Sequence, residues 1–93
     1  MSKLTAQQLK DALPRVPDWR KKSQTITRTC EFKDFPEAIK FVNAVARLSE
    51  KAWHHPDLDI RWNKVTLTLT THDQGGLTKK DFDLAEKFDR LAG

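Results

Sequence analysis

The chain has 93 residues, enough for one domain with a modest hydrophobic core, and we predict a single domain over residues 1–93. Hydrophobic residues make up 38% and charged residues 32%, which argues against a disordered or fibrous chain. The one cysteine, Cys30, cannot close an intramolecular disulfide, and no stretch resembles a signal peptide or a membrane span. We therefore expect a cytoplasmic, soluble protein that does not contact a membrane, and its small size favours a homo-oligomer.

The net charge of +4 is unevenly distributed. Residues 1–49 carry ten Lys and Arg against five Asp and Glu, whereas residues 50–93 carry seven against eight. The one basic run, Arg20-Lys21-Lys22, is typical of a solvated strand edge that discourages unwanted strand pairing. Nucleic-acid binding is therefore not expected, although the positive field would attract small anions.

A first helix is predicted to begin at Thr5, because Thr5 and Gln8 have the spacing of a capping box. Pro14 ends it near Ala12 or Leu13.

Residues 19–32 alternate in the manner of strands, with a turn at Ser23-Gln24. Ile26 and Cys30 lie on one side, and Arg28 interrupts that side, which suggests a partly open face.

Asp34 opens a long helix, with Pro36 in its first turn and Glu37 completing a capping box. Its broad apolar stripe predicts packing on a sheet, and Pro56 requires it to end near Trp53.

Two alternating runs follow, with a turn near Asn63-Lys64, and they predict a hairpin with one buried face. Its apolar positions are Leu58, Ile60, Trp62, Val65, Leu67 and Leu69. Thr78 with Asp81 then opens a last helix. The order is α-β-β-α-β-β-α, which predicts an α+β fold: a four-stranded antiparallel sheet with three helices packed on one face.

All three histidines lie between residues 54 and 72. His54 and His55 follow the long helix, and His72 follows the last strand, so the three imidazoles are expected to converge at one edge of the sheet. Histidine titrates near physiological pH and can both donate and accept a proton there. Glu50, four residues before His54, is expected to orient that imidazole.

The same residues have other interpretations. A His-His-Pro segment is commonly an exposed polar loop, and a Glu-His pair at this spacing can be an ordinary helix pair. Three histidines can also bind zinc, although adjacent histidines do not readily face one ion. Cys30 is expected to be a small core residue rather than a nucleophile.

The spacing of these residues resembles a known family. The segment Glu50 to Pro56 reads EKAWHHP, and Trp62, His72 and Asp81 follow at intervals similar to the signature of the pterin-4a-carbinolamine dehydratases. The segment NKVTLTLTTHD at residues 63–73 resembles that family's hairpin, and the resemblance covers residues 4–91.

The resemblance implies dehydration of a 4a-hydroxytetrahydropterin to quinonoid dihydropterin plus water, in tetrahydrobiopterin recycling, without metal or organic cofactor. It implies that His54 and His72 are the acid/base pair, that His55 orients the substrate and that Glu50 supports His54. The implied pterin contacts are Trp19, Trp53, His55, Thr70, Thr71, Asp73 and Asp81. For Asp81, helix capping is an equally good explanation.

Trp53 departs from the family pattern, because animal members often carry a smaller or acidic residue there. It is expected either to touch the pterin or to be a core or interface residue. The resemblance further implies a homodimer or homotetramer and a functional link to an aromatic amino acid hydroxylase. The alternative function is a non-catalytic module that serves as a transcription-factor dimerisation partner or a Rubisco assembly factor.

Overall fold

The computed structural model describes residues 2–93, and the predicted order of helices and strands is confirmed. The elements are α1 (Ala6–Ala12), β1 (Arg20–Lys22), β2 (Thr25–Glu31), α2 (Phe35–Ala52), β3 (Asp57–Arg61), β4 (Lys64–Leu69) and α3 (Lys79–Ala92). Single 3-10 turns span Leu13–Arg15 and His72–Gln74. No helix within residues 2–93 has the length and apolarity needed to cross a bilayer.

The helices begin where the sequence places the capping residues. The Thr5 hydroxyl accepts the Gln8 N–H at 3.2 Å, and the Gln8 side chain accepts the Thr5 N–H at 2.8 Å. Asp34 accepts the Glu37 N–H at 3.1 Å. These bonds satisfy donors that an α-helix leaves unpaired in its first turn.

The four strands form one antiparallel sheet in the order β1-β2-β4-β3. The central strands β2 and β4 pair over six positions, from Ile26 opposite Leu69 to Glu31 opposite Lys64. The helices cover one face, so the α+β prediction is confirmed. This topology brings the start of β3 and the end of β4 together, because Asp57 pairs with Thr68.

The hydrophobic core lies between the covered face of the sheet and the helices. Ile26 on β2 and Leu67 on β4 are fully buried, as are Val45 on α2 and Phe82 and Phe88 on α3. Burying an aliphatic or phenyl side chain contributes about 1.5–3 kcal/mol, so this layer supplies most of the stabilisation. Cys30 is buried within it, as predicted, and burial raises the pKa of its thiol, which keeps it unreactive.

The prediction of a buried face along the whole hairpin is wrong for β3. Leu58 and Ile60 remain 40% and 39% exposed, and Trp62 in the turn is 66% exposed. The reason is positional, because β3 is an edge strand that the helices do not fully cover. The alternation of apolar and polar residues predicts which side chains share a face of the strand. It does not predict how much of that face the helices cover.

Trp19 belongs to the core rather than to a pocket. It is 4% exposed, and its indole N–H donates to the Asp89 carboxylate of α3 at 2.8 Å. The Arg28 guanidinium donates to the same Asp89 oxygen at 2.5 Å. This ion pair explains why an arginine interrupts the buried side of β2, which is not an open face at that position.

Candidate functional site

The site begins where α2 ends. Trp53, the residue after the helix, has φ 55° and ψ 41°, the left-handed conformation. Its N–H donates to the Glu50 carbonyl at 3.2 Å, and the His54 N–H donates to the Ser49 carbonyl at 3.1 Å. This is the Schellman arrangement, which terminates a helix and reverses the chain. His54 and His55 therefore leave the helix in a new direction.

His54 turns inward and pairs with Asp81 of α3. Its Nε2 lies 2.6 Å from Asp81 Oδ1, and the two side chains are 11% and 0% exposed. A buried carboxylate of this kind requires several donors to offset the loss of water. The Nε2 group of His54 is one such donor. The other ring nitrogen of His54, Nδ1, takes no part in this hydrogen bond.

Two threonines complete the surroundings of Asp81. Its Oδ2 accepts the Thr71 hydroxyl at 2.8 Å and the Thr78 backbone N–H at 2.9 Å. The Thr71 and Thr78 hydroxyls lie 2.9 Å apart, so Thr78 donates to Thr71 while Thr71 donates to Asp81. Asp81 thus caps α3, as the capping interpretation predicted, and also holds His54, whereas a contact between Asp81 and a pterin stays a prediction.

Thr78 is a residue that the sequence interpretation did not connect to the site. It is fully buried and joins the start of α3 to the segment before His72. The Thr78–Asp81 spacing identified the helix start, and only the fold shows that the same carboxylate faces His54.

The prediction that Glu50 supports His54 is wrong in this structure. Glu50 Oε2 instead pairs with Nε2 of His55, and these side chains are 67% and 54% exposed. The prediction assumed that the helix continues to residue 54, where Glu50 and His54 would share a face. The left-handed residue at 53 removes that geometry and returns His55 to the last turn of α2.

The three histidines line one open cavity of about 230 Å³ at the edge of the sheet. Its lining residues are Trp53, His54, His55, Thr70, Thr71, His72 and Asp73. Most of the predicted site residues therefore meet in one place. Glu50 and Asp81 contact the histidines without lining the cavity, and Trp19 lies in the core.

Two threonine hydroxyls of the lining have partners within the protein. The Thr70 hydroxyl donates to the Gln24 carbonyl at 2.7 Å, and the Thr71 hydroxyl is bound to Asp81 and Thr78. His72 occupies an exposed 3-10 turn that Gly75 closes with φ 71°. The lining therefore combines a fixed part, around His54, with an exposed part, around His55 and His72.

A larger groove, of about 490 Å³, lies between the ends of α2 and α3. It is lined by three apolar residues together with Lys51, Lys87 and Arg90. It contains no imidazole or carboxylate, so the histidine cavity is the better candidate for proton-transfer chemistry.

The zinc alternative has no support in the described part of the chain. Within residues 2–93, no group of three His, Cys, Asp or Glu side chains is arranged to hold a metal ion. His54 faces Asp81 and His55 faces Glu50, so the adjacent imidazoles serve different partners. The arrangement instead suits general acid/base chemistry, because the cavity presents imidazoles from two different segments of the chain.

Comparisons with known proteins identify the family of this chain. The sequence profile of the family described as pterin 4 alpha carbinolamine dehydratase matches residues 2–91. A protein from Picosynechococcus sp. is 51% identical over 90 residues, covering 97% of this chain and 98% of that protein. One from Chloroflexus aurantiacus is 50% identical over 93 residues, with both chains fully covered. The names of both assign them provisionally to pterin-4-alpha-carbinolamine dehydratase.

Two solved structures share the fold. A transcriptional coactivator/pterin dehydratase from Brucella melitensis superposes with a TM-score of 0.95 at 36% identity, covering 99% of this chain and 100% of that one. A pterin dehydratase-like protein, described as a RuBisCO assembly factor in the alpha-carboxysome, gives 0.67 at 25% identity, covering 81% and 87%. The profile match and the full-length relatives together show that this chain belongs to the pterin-4a-carbinolamine dehydratase family.

Proposed function

We propose that this protein dehydrates a 4a-hydroxytetrahydropterin to quinonoid dihydropterin and water by histidine general acid/base catalysis. The observation that carries the proposal is the single cavity lined by His54, His55 and His72, with His54 held by the buried Asp81. Family membership supplies the substrate class, and the side chains supply groups suited to the reaction.

The reaction requires two proton transfers. The C4a–O bond breaks as the departing hydroxyl gains a proton, and N5 loses its proton as the C4a=N5 double bond forms. The products are water and the quinonoid dihydropterin, so atoms and electrons balance without an oxidant. The two transfers need a group that donates a proton to the hydroxyl and a group that accepts the proton of N5.

His54 suits the role of base. If Asp81 accepts the Nε2 proton, Nδ1 keeps a free lone pair for the N5 proton, and the buried carboxylate then stabilises the imidazolium, as in other carboxylate–histidine pairs. His72 lies exposed on the facing turn, and it would donate the proton to the departing 4a-hydroxyl. His55 would contact and orient the pterin, with Glu50 fixing its ring.

The test follows the decay of a chemically prepared 4a-carbinolamine in the presence of wild type, His54→Ala and His72→Ala. Wild type is expected to exceed the buffer rate, and each variant to lose about 10²- to 10⁴-fold in kcat, the usual contribution of a positioned acid or base. Lys40→Ala, at an exposed position on α2 outside the cavity, is the control and should match wild type. A wild-type rate equal to that of buffer would overturn the proposal.

The proposed setting is tetrahydrobiopterin recycling in the cytoplasm, beside an aromatic amino acid hydroxylase. The same proposal includes a homodimer or homotetramer, which the exposed Leu58, Ile60 and Trp62 would favour. Light scattering of the purified protein measures the assembly directly.

A second candidate function is a non-catalytic binding or assembly module. It is favoured by the exposed apolar edge at β3 and by the fold shared with a RuBisCO assembly factor. A stoichiometric protein partner recovered together with purified protein that has no pterin turnover would select this function. Turnover that depends on His54 and His72 would select the enzyme.

A further inference from the structure

Trp53 combines three features that a structural role does not require together. Its backbone has φ 55° and ψ 41°, its side chain is 76% exposed, and it lines the histidine cavity. A large aromatic residue in a left-handed conformation is uncommon, because the side chain crowds the backbone and glycine is favoured there. Trp62 shares the positive φ, at 50°, and the exposure, at 66%, so Trp53 differs from it by lining the histidine cavity.

The turn that Trp53 forms needs its backbone and not its indole. The two bonds that end α2 come from the N–H groups of Trp53 and His54. Glycine or asparagine would form them with less crowding. The indole also adds little to the core, because most of its surface faces solvent.

The indole instead presents an aromatic surface beside the imidazoles. Its ring centroid lies 5.9 Å from that of His55, with an interplanar angle of 69°, so the two rings meet edge to face. A bicyclic pterin that entered the cavity to reach His54 and His72 would find this surface beside its fused ring. Stacking on an exposed aromatic side chain is a general way to hold such a ring system.

We propose that Trp53 is the stacking surface for the ligand's fused ring. The inference rests on the proposed function, because it takes the ligand to be a pterin. It assigns to Trp53 the binding of the bicyclic ring, whereas proton transfer belongs to the histidines.

The test compares Trp53→Asn with Trp53→Phe in carbinolamine dehydration. Asn tolerates the left-handed conformation and removes the ring, so KM should rise about tenfold or more while kcat changes less. Phe keeps a ring and should stay within about threefold of the wild-type KM. The thermal midpoint of Trp53→Asn should be no lower than that of wild type, because a crowded residue has been replaced by a tolerant one.

Ser23→Gly is the matched control for the backbone. Ser23 also has a positive φ, 55°, and lies exposed in the turn between β1 and β2. Its replacement relieves the same kind of crowding outside the cavity, so its kinetics should equal those of wild type.

A direct binding measurement uses 7,8-dihydrobiopterin and tryptophan fluorescence in a Trp62→Phe background, in which Trp53 and the buried Trp19 emit. Stacking predicts quenching that saturates with ligand and that falls, in Trp53→Asn, to the quenching of Trp19 alone. An active wild type with an unchanged KM in Trp53→Asn would overturn the inference and leave the proposed function intact. A wild type that neither dehydrates nor binds the pterin would overturn both. Light scattering that shows a smaller assembly for Trp53→Asn would make Trp53 an interface residue and also overturn the inference.

Discussion

His54 and His55 are neighbours in the chain, and each pairs with a carboxylate, yet the two pairs lie in different surroundings. His54 and Asp81 are 11% and 0% exposed, whereas His55 and Glu50 are 54% and 67% exposed. The left-handed Trp53 separates them, because it reverses the chain and directs one imidazole toward α3 and the other back over α2. The same kind of histidine–carboxylate contact is thus buried at one residue and exposed at the next.

The difference in burial decides how much each pair contributes to stability. An exposed ion pair is worth about 0–1 kcal/mol, since water and salt screen it. Removing one partner from a buried pair costs about 3–5 kcal/mol, because the remaining polar groups lose both water and their partner. The site therefore combines an imidazole that a buried contact holds in place with one that only an exposed contact holds.

The largest effect on stability is expected for Asp81→Ala. It removes the acceptor of His54, of the Thr71 hydroxyl and of the Thr78 N–H, so the free energy of unfolding should fall by about 3–5 kcal/mol. Denaturant unfolding of the purified protein measures this fall. Asp83→Ala, two residues along α3, removes an exposed partner of Arg15 and should cost less than about 1 kcal/mol. Equal losses for the two variants would contradict the comparison.

A smaller effect is expected for Thr78→Val. Valine keeps the shape and the backbone N–H bond to Asp81 but loses the hydroxyl that faces Thr71, so about 1–2 kcal/mol should be lost. Because Thr71→Val removes the same bond from the other side, the double variant should lose less than the sum of the single losses.

Thr29→Val is the matched control for Thr78→Val. The Thr29 and Thr66 hydroxyls also lie within hydrogen-bonding distance, at 2.8 Å, but on the open face of the sheet. Water replaces the lost bond there, so the loss should stay within about 0.5 kcal/mol. A loss at Thr29 that matches the loss at Thr78 would show that burial is not the deciding factor.

The fold was predictable from local signals, because each helix start carries its own capping chemistry. Thr5 with Gln8, Asp34, and Thr78 with Asp81 mark all three, and the two-residue period of β4 identifies its buried face. Each of these signals depends on residues that are at most three or four positions apart. Sequence patterns predict structure reliably over that range.

One error arises from the local conformation at the end of α2, and the others concern contacts between segments distant in the chain. The spacing of Glu50 and His54 assumes a helix that continues, and whether it continues depends on a conformation at Trp53 that its side chain disfavours. The partner of His54 is 27 residues away on α3. The exposure of Leu58 and Ile60 depends on how far the helices cover the sheet, and the burial of Trp19 depends on where Asp89 lies.

The smallest effect is expected for Glu50→Gln, which keeps the shape of the side chain and removes its charge. Both members of this pair are more than half exposed, so the free energy of unfolding should change by less than about 0.5 kcal/mol. Near 1 M NaCl, where the Debye length is about 3 Å, the effect should disappear, while that of Asp81→Ala should persist. Unfolding curves for both variants at low and high salt measure the difference. A loss at Glu50 above about 1 kcal/mol that resists salt would mean that another copy of the chain buries the pair.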